Sequence, residues 1–315
     1  ILVFLLTLNE NENDYHLVLK KNQIMKPKYQ KILFTSLLSL LSSNFIYAEN
    51  CMASKDSSRL TVAGGSLTEI VYLLGQEKKL TAVDITSNYP EKAKELPSIG
   101  YVRALSAEGV LSLSPTLILG ENDMGPPAVM EQLDRVGIQI EIIPEENTAI
   151  GIINKVECVA DILEVESEKK EAVLQDLISI KEDLDILKNI DNPKRVMFIL
   201  GMESGSPTVG GIGTSADGLI KMTGAINVMD SFEGWKPVST EAIIEAKPDF
   251  ILISNRGLSS YKTVENLAKQ PSLMFTPAAK NNNIIAMDGM AMLGFGPRTL
   301  KVAKEIASKF SNTNE

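Results

Sequence analysis

Two stretches of this chain repeat one plan, and that repeat limits the fold more than any other feature. Ser106-Ala-Glu-Gly-Val-Leu-Ser-Leu-Ser-Pro-Thr-Leu-Ile-Leu119 runs in step with Ser239-Thr-Glu-Ala-Ile-Ile-Glu-Ala-Lys-Pro-Asp-Phe-Ile-Leu252. Each reads as a short helix, a proline turn that stops it, and an apolar run of strand length. Alternating strand and helix signals surround both copies. Strands are expected at Leu60–Ala63, Leu80–Val83, Thr116–Leu119 and Ile138–Ile143, then at Arg195–Leu200, Phe250–Ser254 and Asn283–Met287. Helices lie between them, two of them closed by Gly75 and Gly224, the residue type that most easily takes the left-handed C-terminal position. This rhythm belongs to parallel sheets covered by helices, and its two rounds imply two lobes.

Ser167 to Lys188 separates the two rounds and contains neither Gly nor Pro. Val173, Leu177, Ile180, Leu184 and Leu187 recur there at helical spacing. A helix of about 22 residues spans about 33 Å. The expected fold class is therefore α/β: two Rossmann-like lobes with a central sheet each, joined by one long rigid connector helix, with the ligand cleft between the lobes. The N-terminal lobe is placed at 59–166, the connector at 167–189 and the C-terminal lobe at 190–315. A stiff helix between lobes permits only a small hinge motion.

The N-terminal residues read as a targeting segment. Met25 is followed by Lys26, Lys28 and Lys31, then by an apolar run from Ile32 to Ile46 and by Tyr47-Ala48. A basic start, a short apolar core and a small residue make a secretory signal peptide, placed at 25–48. The run is short for a membrane span. Residues 1–24 are read as an upstream segment outside the fold, and 49–58 as a flexible mature N-terminus.

Removing residues 1–48 takes five Lys and three acids from 31 basic and 40 acidic residues, which leaves a net charge of −11. Such a balance argues against a nucleic-acid binder, which needs a basic face for phosphates. The segment also contains His16, the single histidine. The exported chain then has no imidazole for a catalytic base or a metal ligand. The two cysteines, Cys51 and Cys158, are compatible with a disulfide in an exported protein. A lipid anchor on Cys51 is the weaker alternative, because Ala48-Glu49-Asn50 is a poor small-residue box.

The stretch Gly100-Tyr-Val-Arg-Ala-Leu-Ser-Ala-Glu-Gly109, with Gly213-Thr-Ser-Ala-Asp-Gly218 and Gly294-Phe-Gly-Pro-Arg298 in support, resembles the haem-binding periplasmic proteins of bacterial haem ABC importers. The resemblance covers almost all of residues 59–310. It implies a non-enzymatic, periplasmic, monomeric protein that captures ferric haem b and delivers it to the ABC permease dimer of the inner membrane, downstream of an outer-membrane haem receptor system. The wider superfamily includes siderophore and cobalamin binders, so those ligands are the alternative.

The resemblance makes Tyr101 the axial iron ligand. Phenolate is a hard anionic donor suited to ferric iron, and Tyr is an established axial ligand of haem. A free phenol has a pKa of about 10, so a nearby cation favours the bound phenolate. Arg103 lies two residues on, and in an extended segment it would point to the same side. Arg256, after a buried strand of the second lobe, matches a family arginine that reaches the tyrosine oxygen; either arginine could instead meet a haem propionate. Met202, Met290 and Met292 lie in glycine-rich loops and are expected as apolar pocket walls, since a thioether is a weak ligand for ferric iron. Glu108 and Glu241, at matching positions of the two repeated helices, are expected to dock onto arginines of the permease.

Gly211-Ile-Gly-Thr-Ser-Ala216 fits a loose dinucleotide pattern but lacks the strand directly before it. Its expected use is a helix N-terminus whose amides face a propionate. No nucleophile-elbow or phosphate-loop motif occurs, and the usual triads are unavailable without histidine.

Overall fold

The computed structural model describes residues 51–188, 192–203 and 206–312. The signal-peptide and upstream readings at 1–48 lie outside them. The first lobe contains β1 (Leu60–Ala63), α1 (Gly65–Leu73), β2 (Leu80–Val83), α2 (Ala107–Leu111), β3 (Leu117–Gly120), α3 (Pro127–Arg135), β4 (Gln139–Ile142) and α4 (Ala149–Ile162). The helix α5 (Ser167–Leu187) follows. The second lobe contains β5 (Arg195–Glu203), β6 (Ser206–Gly210), α6 (Ser215–Met222), β7 (Ile226–Asn227), β8 (Trp235–Pro237), α7 (Thr240–Ala246), β9 (Phe250–Ser254), α8 (Asn255–Leu258), α9 (Val264–Ala268), α10 (Pro277–Lys280), β10 (Ile284–Met287), α11 (Gly289–Leu293) and α12 (Pro297–Asn312).

The first sheet is parallel throughout, in the order β2-β1-β3-β4. β1, β2 and β3 are short, mostly apolar and buried, as strands covered on both faces must be, whereas the edge strand β4 alternates polar and apolar residues and is only partly buried. The second sheet runs β10-β9-β5-β6-β8, with β7 also beside β5. β10, β9, β5 and β7 are parallel, whereas β6 and β8 add an antiparallel edge.

The sequence repeat is also a repeat of hydrogen bonds. Ser106 caps α2 through Gly109 N, and Ser239 caps α7 through Ala242 N. Ser114 and Lys247, each just before the proline, both take left-handed backbone angles, φ 48° and 45°. Arg59 then donates to the carbonyl oxygens of Leu113 and Ser114, and Arg195 donates to that of Ala246. In both lobes an arginine beside the first strand thus satisfies carbonyls that the ended helix leaves without partners.

The two lobes share one core. Leu60, Leu67 and Leu119 of the first lobe belong to the same buried apolar cluster as Phe198, Leu252 and Phe310 of the second, joined through α4, α5 and α12. From α5, Val173, Leu177 and Leu184 are buried in it, and Asp183 accepts a 2.6 Å ion pair from Lys304 of α12. Each lobe also has one smaller apolar cluster of its own. The connector is therefore built into the protein along its length.

The segment before β1 is tied down, where the sequence reading expects flexibility. Cys51 and Cys158 form a disulfide with Cα atoms 5.1 Å apart. Ser54 N donates to Ile162 O, and Lys55 N to the Gln139 side chain. The crosslink closes a span of 107 residues, and constraining so large a loop in the unfolded chain stabilises by about 2–4 kcal/mol. Cys158→Ala is expected to lose that amount, read as a lower urea midpoint with a steeper slope, because the freed unfolded chain exposes more surface; an unchanged midpoint would show that the tether adds nothing.

Candidate ligand cleft

Open parallel sheets bind ligands beyond the carboxyl ends of their strands, where the strand order reverses. In the first sheet that point lies between β1 and β3. The turn after β1 is Gly64-Gly65-Ser66 and the loop after β3 starts at Glu121. Gly64 has φ 148°, and a Cβ there would come within 2.5 Å of the Glu121 carboxyl carbon. At Gly65 a Cβ would come within 2.7 Å of Thr86 O and of the Met290 methyl. Glycine at both positions lets the turn, the Glu121 loop and a methionine of the other lobe meet here.

Tyr101 stands in the crossover from β2 to β3 and is 40% exposed. It is the residue before a single 3₁₀ turn, Val102–Ala104. The extended geometry expected for Arg103 is therefore replaced by a turn. Arg103 still returns to Tyr101, with its guanidinium carbon 6.0 Å from the ring centroid. Its Nε donates to Asp123 at 2.5 Å, and that bond holds the guanidinium further toward its charged form than usual. The Tyr101 ring thus faces a cation whose charge Asp123 largely offsets. Asp123 has no signal in the local motif; its only hint is its place in an acidic loop after a buried strand.

Arg256 lies in the first turn of α8 at the carboxyl end of β9, and it is exposed. Among the described residues its side chain has no ion pair. Met202 is half-buried against the apolar cluster of the second lobe, and Met290 is half-buried over Gly65. Met292 departs from the third methionine expectation: it is fully buried in the shared core. Glu108 and Glu241 are exposed in the first turns of their capped helices. The N-terminus of α6 also departs from expectation. Asp217 is buried there, accepts from Gly213 N, Asn227 and Lys221, and fills the place foreseen for a propionate.

A buried polar group underlies the turn after β1. Glu121 accepts from Ser66 Oγ at 2.7 Å. The fully buried Lys155 pairs with Glu145 at 2.8 Å and reaches Ser66 Oγ at 3.3 Å. Burial, reinforced by Glu145, raises the Glu121 carboxyl to about 7 despite Lys155 and Ser66. A carboxyl raised in the fold favours its neutral form, so its contribution is complete below about pH 4.5 and is lost as pH rises through 7. The difference is at most about 3 kcal/mol. Glu121→Gln should therefore be more stable than the parent at pH 8 and little different at pH 4.5. Urea midpoints at the two pH values test this, and equal parent-to-variant differences at both would refute it.

The lobes are pinned beside the cleft. Glu69 of α1 accepts from Arg298 N at 2.6 Å and from Arg298 Nε at 2.7 Å. Arg298 Nη1 also reaches Asp288 Oδ1 at 3.1 Å. Burial raises the Glu69 carboxyl above the usual range, against the pull of Arg298. The guanidinium carbon lies 3.9 Å from the centroid of the Tyr89 ring.

Two α/β lobes on a shared core, each with its sheet ending in loops that carry exposed polar side chains, have the architecture of a bilobal binding protein. The chain matches the periplasmic binding protein family over residues 61–291 and belongs to it. Among solved structures, it is similar to the apo form of the periplasmic haem-binding protein RhuT from Roseiflexus sp. RS-1, at 34% identity and TM-score 0.76, covering 82% of this chain and 100% of that one. It is also similar to the periplasmic haem-binding protein HutB of Vibrio cholerae, at 34% identity and TM-score 0.73, covering 81% and 99%. A vitamin B12-binding protein of Vibrio campbellii is 24% identical, covering 86% of this chain and 95% of the relative. Its relatives are substrate-binding proteins of transport systems. Among the described residues no helix is long and apolar enough to cross a membrane.

Proposed function

We propose that this protein binds ferric haem b in the cleft, with Tyr101 on the iron, and delivers it to an inner-membrane ABC permease. The observation that carries this reading is Tyr101 itself: a half-exposed phenol at the strand ends, with the Arg103 guanidinium beside its ring. Phenolate is a hard anionic donor that binds ferric iron well. Arg256, exposed on the second lobe and without an ion pair among the described residues, is suited to the tyrosinate oxygen or a propionate carboxylate. Met202 and Met290 supply soft apolar surface for the macrocycle. Glu108 and Glu241, held outward on equivalent helices, are the docking residues for the permease. The haem-binding neighbours at 34% identity favour haem over cobalamin.

Cobalamin is the second reading, favoured by the vitamin B12-binding relatives. Titration with hemin and, separately, with cyanocobalamin, followed by absorbance, decides between them. Uptake of one hemin per chain with a high-spin ferric spectrum is expected. Saturable binding of cyanocobalamin without hemin uptake would replace the haem reading by the corrin one.

A further inference from the structure

We propose that Tyr89 is a ligand-stacking residue: its ring, backed on one face by Arg298, is a preformed platform for a flat conjugated macrocycle at the junction of the lobes. This inference rests on the cleft reading above and adds a second contact residue to it.

Tyr89 follows β2, on the ligand side of the sheet. Its loop is fixed by short polar bonds. Asp84 accepts from Thr86 N at 3.0 Å, from Thr86 Oγ1 at 2.7 Å and from Ser87 Oγ at 2.8 Å. Thr86 Oγ1 also accepts from Gly65 N, and Ser87 Oγ meets Thr68 Oγ1 at 2.7 Å. The loop is therefore locked to the turn after β1.

Tyr89 nevertheless stays 45% exposed. An aromatic ring left open beside a cleft, on a rigid loop, is usable contact area that loses little freedom on binding. Arg298 strengthens the case. Its guanidinium lies 3.9 Å from the ring centroid, and Glu69 and Asp288 fix it from two other sides. A planar guanidinium on an aromatic face is favourable in itself and sets the plane of the ring. With the cation over one face, the opposite face is the one proposed for the ligand. A porphyrin or a corrin offers the matching flat surface, and offset stacking on such a ring has its own favourable energy.

The test is hemin titration of Tyr89→Leu, Tyr89→Phe and the parent, with thermal midpoints recorded alongside. Losing the ring should weaken hemin binding about three- to tenfold, while the spectrum of the tyrosine-bound iron persists. Tyr89→Phe should bind within about twofold of the parent, because the ring and not the hydroxyl makes the contact. Parent-like affinity in Tyr89→Leu overturns the proposal. So does a loss of more than about threefold in Tyr89→Phe relative to the parent, a comparison that does not depend on the leucine variant folding. If the parent takes up cyanocobalamin and no hemin, the haem reading falls alone, and the same variants judge the platform with the corrin. If the parent binds neither, both fall.

Discussion

Tyr101→Ala is expected to lose the tyrosinate signature of bound hemin and at least about 100-fold in affinity. Altering groups that merely orient a metal ligand costs about 10- to 100-fold, and this substitution removes the proposed ligand itself. Among the described residues there is no histidine to replace it, and a thioether such as Met290 is a poor substitute on ferric iron. Tyr101 is surface-accessible and lies outside the apolar clusters, so the fold should tolerate its loss. The check is absorbance-monitored titration with a thermal midpoint on the same sample. Parent-like affinity and spectrum in a folded variant would remove Tyr101 from the iron.

Arg298→Ala should be the most damaging single change to stability among those considered. It leaves the Glu69 carboxylate buried without its cation, and breaking a buried pair from one side costs about 3–5 kcal/mol. For a chain of this size that corresponds to a fall in Tm on the order of 10 °C. The sign with pH follows from the carboxyl. Burial already raises Glu69, and removing the arginine that opposes this raises it further. The stranded charge can then be relieved by protonation, so the deficit should shrink as pH falls toward 4.5. Combining Arg298→Met with Glu69→Leu should recover much of the loss, because two apolar groups of similar size leave no charge behind. Melting curves of the single and double variants at pH 4.5 and 8 would measure this. A single variant that melts within about 1 °C of the parent would mean the ion pair contributes little.

Much of the architecture was legible because parallel strands advertise themselves as short apolar runs bounded by glycine and proline. What escaped had physical reasons. Helix α4 is buried on most of its faces, Lys155 included, so it shows no polar stripe to set its period. β6 and β8 carry Pro207 and Pro237, which count against a strand in any local reading. At the site, Tyr101 and Arg103 could be found from their motif. Their surroundings could not, because the partners are distant in sequence: Asp123 is 20 residues from Arg103, Glu121 is 55 from Ser66, and Arg298 is 229 from Glu69. The assumption that residues 101–103 are extended failed because the chain turns there. Met292 went inward because α11 has a buried side that its glycine-rich setting hid.

The apolar core that runs unbroken from β1 to Phe310 has a consequence for how this molecule can be divided. By sequence it looks like two modules on a string, each with its own sheet and its own capping arginine. Yet a cut at the connector would strip α5 and α12 of what they cover and leave a raw greasy face on each fragment. The halves are separable as a pattern of repeats and inseparable as material. Any grafting, shuffling or half-length expression of this protein has to treat it as one indivisible body.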